Sequence, residues 1–323
     1  MFIALHLQGA DIPAFKPKAR HLARLRAAFP DAVIHNCASE SEFLKILPRA
    51  THALVWSFRN DWLALAPNLR HIATPAAGRD WIEPASNPQI PKSQNLQISF
   101  GSFHGQLIAQ TLLAQLLAFN RGVLHAGQRG RWPSSDENFL WQRARLATHC
   151  RDVRGTRAVI LGFGHIGQAI GRHLKFFNIR VTGLRRDASQ PPPDWFTRGD
   201  RLLPATQLEE VLPRADHLIC ALPASPETNL LLDARRLSLL PRRAAVYNVG
   251  RGNVLDEAAL ARLLCARKIR GALLDVFQTE PLPKDSPLFT APNFFPLPHA
   301  SAFAPNYLDL WLDEILGFGN FGI

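Results

Sequence analysis

Residues 159–167 read Val-Ile-Leu-Gly-Phe-Gly-His-Ile-Gly, an apolar run that ends in three glycines spaced Gly-x-Gly-x-x-Gly. The run predicts a buried strand, and Ile170, Leu174 and Phe177 then recur at the spacing of one helix face. Residues 180–184 form a second strand pattern at the distance expected for a β-α-β unit. This order predicts a dinucleotide-binding fold, and the alternative is a glycine-rich turn in another kind of α/β protein.

Each glycine of this turn has a predicted role. Gly162 permits the tight turn out of the strand, Gly164 lets the backbone approach a diphosphate, and Gly167 lets the helix pack closely on the sheet. The helix starts at His165 and Ile166, where free N–H groups and the helix dipole favour negative charge. We therefore expect the diphosphate of a dinucleotide at this helix N-terminus.

Length and composition limit the class of protein. The 323 residues suggest two domains of ordinary size, and 47% hydrophobic with 20% charged residues is typical of a globular chain. No apolar run reaches the roughly 20 residues that span a bilayer, and residues 1–7 lack the features of a signal peptide. The four cysteines show no metal-binding or redox spacing, so we expect no metal site and a cytoplasmic location.

The formal net charge of +11 raises the question of an anionic partner. Arginines are dense between Arg121 and Arg157, where Trp132, Phe139 and Trp141 also lie, and this mixture suits single-stranded nucleic acid. Arginine is nevertheless frequent along the whole chain, which favours a solvated basic surface over nucleic-acid binding. Such a surface also attracts anionic substrates and cofactors.

The first hundred residues alternate short strand and helix patterns, which predicts a small doubly wound α/β unit. Its strand at residues 71–74 runs into a loop of small residues that contains Ala76, Ala77 and Gly78. Ligands of open α/β sheets bind beyond the carboxyl ends of the strands, and backbone N–H groups there can hold an anion. An ordinary connecting loop is the alternative.

Residues 106–124 predict one long apolar helix, and residues 126–150 are polar and aromatic without clear periodicity. In a compact enzyme such a segment is typical of an arm that packs on a partner subunit, and a surface loop is the alternative. Because its aromatic side chains would be costly to expose as one patch, we expect a homodimer in which the two arms pack across the interface.

Three ionisable residues, Arg251, Glu280 and His299, follow successive predicted strands of the second sheet. Because the carboxyl ends of parallel strands share one edge, these residues can converge on the crevice that holds the cofactor. Singly, each has an ordinary explanation as a surface arginine, a solvated acid or a packed histidine. Together they suit hydride transfer, since a histidine–glutamate pair is a proton donor and an arginine fork holds a carboxylate.

Four segments resemble the signature of the D-2-hydroxyacid dehydrogenase family, which includes phosphoglycerate dehydrogenase and the glyoxylate/hydroxypyruvate reductases. They are residues 248–257 (Asn-Val-Gly-Arg-Gly-Asn-Val-Leu-Asp-Glu), 271–277 (Gly-Ala-Leu-Leu-Asp-Val-Phe), 280–283 (Glu-Pro-Leu-Pro) and 298–299 (Pro-His). The resemblance implies an enzyme that reduces a small 2-oxo acid to the D-2-hydroxy acid with NAD(P)H and catalyses the reverse oxidation.

The resemblance also implies roles for the site residues. Arg251 would hold the carboxylate and the carbonyl of the substrate, and His299 would protonate the carbonyl oxygen as hydride arrives from the nicotinamide. Glu280 would keep His299 protonated and oriented, while the small-residue loop after residue 74 would bind the substrate carboxylate. The further cofactor contacts that it implies are Pro223 and Thr228 on the ribose-phosphate side, Val249, and Asp275 facing the nicotinamide amide.

The family fold implies two doubly wound parallel-sheet domains, a Rossmann nucleotide-binding domain and a flavodoxin-like substrate domain. The chain would cross to the nucleotide domain near residue 101 and return near residue 296. Residues 1–100 and 296–323 would then form a discontinuous substrate domain. Residues 101–295 would form the dinucleotide-binding domain, with residues 126–150 as its dimerisation arm.

Two other functions stay open at this point. The same family contains transcriptional corepressors, so a dinucleotide-sensing scaffold without physiological turnover is the main alternative. The family also contains formate dehydrogenases, in which the histidine is paired with glutamine, and Glu280 argues against that activity.

The end of the second strand bears on the choice of cofactor. An NAD-specific site places an acid there to bind the ribose 2′-hydroxyl, and that acid repels a 2′-phosphate. Counted from Gly162, the acidic position falls on Arg185, with Arg186 beside it. Two guanidinium groups favour a phosphate, so we expect NADP(H) to be preferred, with NAD(H) also possible. The alternative is a pair of surface arginines, with Asp187 taking the role of the acid.

Overall fold

A computed structural model describes residues 1–8, 12–86, 96–127 and 136–317, except for the side chains of residues 85–86 and 136–139. The chain divides into two compact units. The first unit comprises Met1–His104 and Phe303–Ile323, and the second unit comprises Gly105–Ala302. The sequence predicts the two crossings near residues 101 and 296.

The first unit is built on a five-stranded parallel sheet. Its strands are β1 Phe2–His6, β2 Val33–Asn36, β3 His52–Val55, β4 His71–Thr74 and β5 Gln97–Phe100, and its first helices are α1 Ala19–Ala28 and α2 Glu40–Ile46. The strand order β2-β1-β3-β4-β5 is the flavodoxin-like order. Every residue of β3 and β4 is buried, as expected when helices cover both faces of a parallel sheet.

The second unit is built on a seven-stranded parallel sheet of order β12-β11-β10-β9-β6-β7-β8. Its strands are β6 Arg157–Leu161, β7 Arg180–Arg185, β8 Arg201–Pro204, β9 His217–Cys220, β10 Ala245–Asn248, β11 Gly271–Leu274 and β12 Phe294–Pro296. The helices are α3 His104–Asn120, α4 Val123–Gly127, α5 Asp136–His149, α6 His165–Lys175, α7 Leu208–Val211, α8 Ala234–Ser238 and α9 Glu257–Cys265, and α10 Tyr307–Gly317 belongs to the first unit. The predicted fold class of two doubly wound parallel sheets is therefore confirmed.

Successive side chains of each strand point to opposite faces of the second sheet, and both faces carry an apolar core. Val159 and Leu218 belong to the apolar cluster on one face, whereas Ile160 and Ile219 belong to the cluster on the other. Each fully buried side chain of this kind contributes about 1.5–3 kcal/mol to folding. The strand order reverses between β6 and β9, and the crevice beyond their carboxyl ends is the place where such sheets bind ligands.

The helices that follow β5 in the sequence differ from the predicted pattern. In place of one helix over residues 106–124, α3 ends at Asn120 and α4 begins at Val123, because Gly122 takes a left-handed backbone with φ of 73°. The aperiodic segment that follows contains a helix, α5, whose Leu140 and Trp141 are exposed. Sparse apolar residues explain why a core-facing period is missing from this stretch. In the described part of the chain, no helix is both long and apolar enough to cross a membrane.

Candidate active site

The glycine-rich turn joins β6 to α6 at the point where the strand order reverses. Gly162 has a φ of 85°, and a Cβ there would lie 2.6 Å from the carbonyl oxygen of Ala221, which follows β9. A Cβ on Gly167 would overlap the carbonyl oxygen of Gly162, so any larger residue would push the helix away from the turn. Only glycine satisfies these two positions, as the sequence predicts.

The N-terminus of α6 has the properties of an anion site. Gly164 is its N-cap, with no side chain capping the helix, and the position of a Cβ on Gly164 has no described atom within 4 Å. The N–H groups of the first turn, starting at His165 and Ile166, have no partner inside a helix. An open, uncapped N-terminus of an eleven-residue helix fits the diphosphate of a dinucleotide.

Arg185 is the last residue of β7, where an NAD-specific site has an acid. Its Nη2 donates to the carbonyl oxygen of Gln190 at 3.1 Å, and its buried Nε has no partner among the described residues. Arg186 beside it is exposed. Asp187 lies past the strand, and hydrogen bonds from Ser189, with a smaller effect of Arg185, lower the pKa of its carboxyl group. The acid is therefore engaged in its own turn, and the arginine occupies the strand end.

Two of the other predicted cofactor residues share one loop after β9. The hydroxyl of Thr228 donates to the carbonyl oxygen of Pro223 at 2.8 Å and accepts from the N–H of Ser225 at 2.9 Å. Val249, which follows β10, is buried, and its N–H donates to the carbonyl oxygen of Cys220 at 3.0 Å. Because β9 lies between β6 and β10, these loops are neighbours of the glycine-rich turn.

His299 and Glu280 form a direct pair. Nδ1 of His299 lies 2.8 Å from Oε2 of Glu280, and the other carboxylate oxygen accepts from the N–H of Phe277 at 3.0 Å. The carboxylate is placed to accept a hydrogen bond from Nδ1, and this contact fixes the plane of the ring. Nε2 has no partner among the described residues, and the histidine side chain is 45% exposed, so this nitrogen is accessible to a small molecule.

Asp275 has a structural role that the sequence did not reveal. This residue follows β11 and is buried, and its carboxylate accepts hydrogen bonds from the N–H groups of Ala300 at 2.7 Å and Ser301 at 3.1 Å. Its carbonyl oxygen accepts from the N–H of His299 at 2.8 Å. These bonds hold His299 in a left-handed backbone with φ of 52°, which is unusual for a residue other than glycine. The predicted contact of Asp275 with a nicotinamide amide stays a prediction.

Arg251 follows β10 in a loop that a buried side chain organises. The side chain of Asn248 accepts from the N–H of Gly250 at 3.1 Å and donates to the carbonyl oxygen of Arg251 at 3.0 Å. A Cβ on Gly252 would overlap the backbone of Phe277, so this loop lies directly against the loop that carries Glu280. The strand order β12-β11-β10 thus brings Arg251, Glu280 and His299 to one edge of the sheet.

The predicted carboxylate loop of the first unit follows β4. The N–H of Ala76 donates to the hydroxyl of Thr74 at 3.1 Å, so this donor is already used within the loop. Ala77 is exposed and Gly78 is half-buried. Of the three predicted residues, Ala77 and Gly78 are therefore better placed than Ala76 to offer an N–H group to an anion.

Comparison with known proteins identifies the family. Residues 113–301 match the profile of the NAD binding domain of D-isomer specific 2-hydroxyacid dehydrogenases. The chain belongs to this family. The second unit is therefore its nicotinamide dinucleotide-binding domain, and the family resemblance seen in the sequence is confirmed.

Several relatives extend this match. The glyoxylate/hydroxypyruvate reductase B of Pectobacterium carotovorum subsp. carotovorum strain PC1 is 31% identical over 244 residues, which cover 74% of this chain and 71% of the relative. That of Yersinia pestis strain Pestoides F is 32% identical over 247 residues, with 74% and 70% covered. The crystal structure of a D-isomer specific 2-hydroxyacid dehydrogenase from Xanthobacter autotrophicus Py2, in complex with NADPH and MES, is 27% identical. It aligns with a TM-score of 0.76 over 99% of this chain and 95% of that one.

Proposed function

We propose that this protein is an oxidoreductase that reduces a small 2-oxo acid of the glyoxylate or hydroxypyruvate type to its D-2-hydroxy acid and catalyses the reverse oxidation. The observation that carries the proposal is the 2.8 Å pair of His299 and Glu280, at the same sheet edge as the glycine-rich turn. Relatives named glyoxylate/hydroxypyruvate reductase B support this choice of substrate class.

His299 is the proposed proton donor. A bound nicotinamide cofactor supplies the hydride that adds to the carbonyl carbon. Nε2 of His299 donates its proton to the carbonyl oxygen in the same step, and the Glu280 carboxylate stabilises the imidazolium that makes this donation possible. In the reverse direction the neutral imidazole accepts the proton of the hydroxyl group.

Arg251 is the proposed anchor of the substrate. Its guanidinium can form two parallel hydrogen bonds with a carboxylate and also reach a carbonyl oxygen, which fixes the orientation of a 2-oxo acid. Backbone N–H groups of Ala77 and Gly78 are proposed as further donors to the carboxylate, and Ala76, whose N–H bonds to Thr74, shapes the same loop. These residues bind and orient the substrate, while His299 alone moves a proton.

Steady-state turnover tests the proposal directly. Purified protein should oxidise NADPH or NADH in the presence of glyoxylate or hydroxypyruvate, and a panel of 2-oxo acids with both cofactors would identify the preferred substrate. A dinucleotide-sensing scaffold would bind the cofactor without turning over any member of the panel. That outcome would contradict the proposed function.

The cofactor preference is a separate proposal, carried by Arg185 at the end of β7. We expect the parent protein to prefer NADPH over NADH, chiefly through a lower KM, because guanidinium groups form charge-assisted hydrogen bonds with a 2′-phosphate. Arg185→Asp should weaken the binding of NADPH and improve that of NADH by comparison. A carboxylate repels the 2′-phosphate of NADPH and accepts a hydrogen bond from the 2′-hydroxyl of NADH. Saturation kinetics with both cofactors measure the effect.

Arg180→Asp is the matched control for this exchange, because Arg180 is the exposed first residue of the same strand and lies at its opposite end. The control should keep the preference of the parent. Equal or better kcat/KM of the parent with NADH would show that Arg185 and Arg186 do not recognise the phosphate.

A homodimer is proposed from helix α5. Leu140 and Trp141 are 61% and 54% exposed on it, which is costly for large apolar side chains on one short stretch. Trp132 lies outside the described residues, as does the side chain of Phe139.

A cytoplasmic location of the protein is also proposed. The four cysteines are free, which is consistent with a reducing compartment.

Light scattering at micromolar concentration should therefore report a dimer of the 36.0 kDa chain. Leu140→Asp with Trp141→Asp should shift the population to monomer, because the charges would be buried at the interface. Phe176→Asp removes an apolar side chain that is 80% exposed elsewhere in the second unit and should leave the dimer intact. A parent protein that is only monomeric would refute this assembly.

A further inference from the structure

The second unit has a cavity of about 740 Å³ whose described lining is strongly basic. Its guanidinium groups come from six arginines: Arg145, Arg151, Arg242, Arg243, Arg267 and Arg270. No aspartate or glutamate is among the described residues that line it. The three segments that supply these arginines are far apart in the sequence, so the cluster is a product of the fold.

The cavity lies at the opposite edge of the sheet from the candidate active site. Arg242 and Arg243 precede β10, and Arg270 directly precedes β11, whereas Arg251 and Asp275 follow these same strands. In a parallel sheet the amino and carboxyl ends of the strands form opposite edges, and a four-residue strand separates them by about 13 Å. The dinucleotide crevice therefore does not account for this cavity.

Most of this positive charge is not neutralised by the described residues. Arg243 pairs with Asp216, whose Oδ1 lies 2.5 Å from its Nε, and this is the only ion pair that the described residues make with the six arginines. Arg270 is held by neutral groups, since it donates to the side chain of Asn120 and to the carbonyl oxygen of His149. Its guanidinium also lies 4.6 Å from the centre of the Phe119 ring. These contacts orient the cation, and no acidic side chain among the described residues pairs with it.

Burial and like charge act together on Arg270. Burial, followed by the effect of Arg151, lowers the pKa of Arg270 to about 10. The group stays protonated near neutral pH, so like charges face each other in a concave and partly desolvated space. An anion that enters this space would relieve that repulsion and gain charge-assisted hydrogen bonds.

We propose that the arginine-lined cavity binds a small anion that carries at least two phosphate groups. A monocarboxylate such as a 2-oxo acid would offset one of the five charges that lack a described acidic partner, whereas linked phosphates offset several at once. Planar guanidinium forks match the oxygen geometry of phosphate, and the cavity volume admits more than a single phosphate group. Because Arg145 is on α5 and Arg270 bonds to the last residue of that helix, the ligand would tie α5 to the sheet.

Calorimetric titration of inorganic pyrophosphate into the full-length protein tests the proposal. The protein is first saturated with NADPH, so that the N-terminus of α6 is not available to the probe. One pyrophosphate should bind per chain, more tightly than orthophosphate and less tightly as NaCl is raised, because the contacts are ionic. Fructose 1,6-bisphosphate serves as a second probe, and its affinity relative to pyrophosphate distinguishes an organic bisphosphate ligand from a free polyphosphate.

Two double variants of equal charge make the result specific. Arg151→Gln with Arg242→Gln removes two exposed arginines of the cavity and should lower the affinity for pyrophosphate by about 10-fold or more. Arg198→Gln with Arg214→Gln removes two exposed arginines elsewhere in the second unit and should leave the affinity unchanged. Both should reduce glyoxylate at the rate of the parent. The proposal is overturned if the parent binds no pyrophosphate under NADPH saturation, or if both double variants lose affinity equally.

Discussion

Replacing His299 with alanine is expected to lower kcat for 2-oxo acid reduction by about 100- to 10,000-fold, the usual contribution of a positioned general acid. The imidazole is the group at this sheet edge that is paired with a carboxylate and still has a ring nitrogen without a described partner. Without it, the proton must come from water as hydride adds to the carbonyl carbon. NADPH binding should persist, because the glycine-rich turn is formed by other residues.

Single-turnover rates and NADPH fluorescence titrations would measure these two quantities separately. Glu280→Gln should lower kcat less than His299→Ala does, because glutamine can still accept the hydrogen bond from Nδ1. It should still lower kcat, because glutamine carries no charge to stabilise the imidazolium. His173→Ala, on the outer part of α6, is the matched control and should be close to the parent. Near-native turnover of His299→Ala would remove this residue from the mechanism.

Replacing Arg251 with lysine is expected to lower kcat/KM by about 10- to 100-fold, the loss of one charge-assisted hydrogen bond of roughly 1.5–3 kcal/mol. Lysine keeps the charge but presents a single ammonium group, so it cannot hold a carboxylate and a carbonyl oxygen at once. KM should rise and kcat should fall, because the same contacts bind the substrate and orient it towards His299. Arg251→Ala should lower kcat/KM more than the lysine variant does.

Kinetics with glyoxylate are the strictest test of this anchor, because the substrate offers little beyond a carboxylate and an aldehyde. Arg262→Lys, an exposed position on α9, controls for the effect of exchanging an arginine for a lysine in the same unit. If Arg251→Lys behaved like the parent, the bidentate role would be wrong even if the arginine contributes charge to the site.

Local patterns in the sequence were sufficient to predict the fold class and to place Arg251, Glu280 and His299 at one edge of the sheet. An apolar strand, three spaced glycines and an amphipathic helix are contiguous, and steric limits at Gly162 and Gly167 explain why the pattern is specific. Arg251 and His299 follow predicted strands, and Glu280 is five residues beyond Asp275, which follows another. Because parallel strands align their carboxyl ends, a position after a strand already predicts a shared edge.

Only the tertiary structure decided how these residues are held. The hydrogen bonds from Ala300 and Ser301 to Asp275, and the close approach of Gly252 to Phe277, join segments that are more than twenty residues apart. Helix α5 was likewise not predicted, because its residues lack an apolar period. The basic cavity is the clearest case, because its arginines appear in the sequence as scattered surface charges. These arginines come from three segments that are distant in the sequence, and only the path of the chain brings them together at the amino edge of the sheet. Their charges interact because they are close in space.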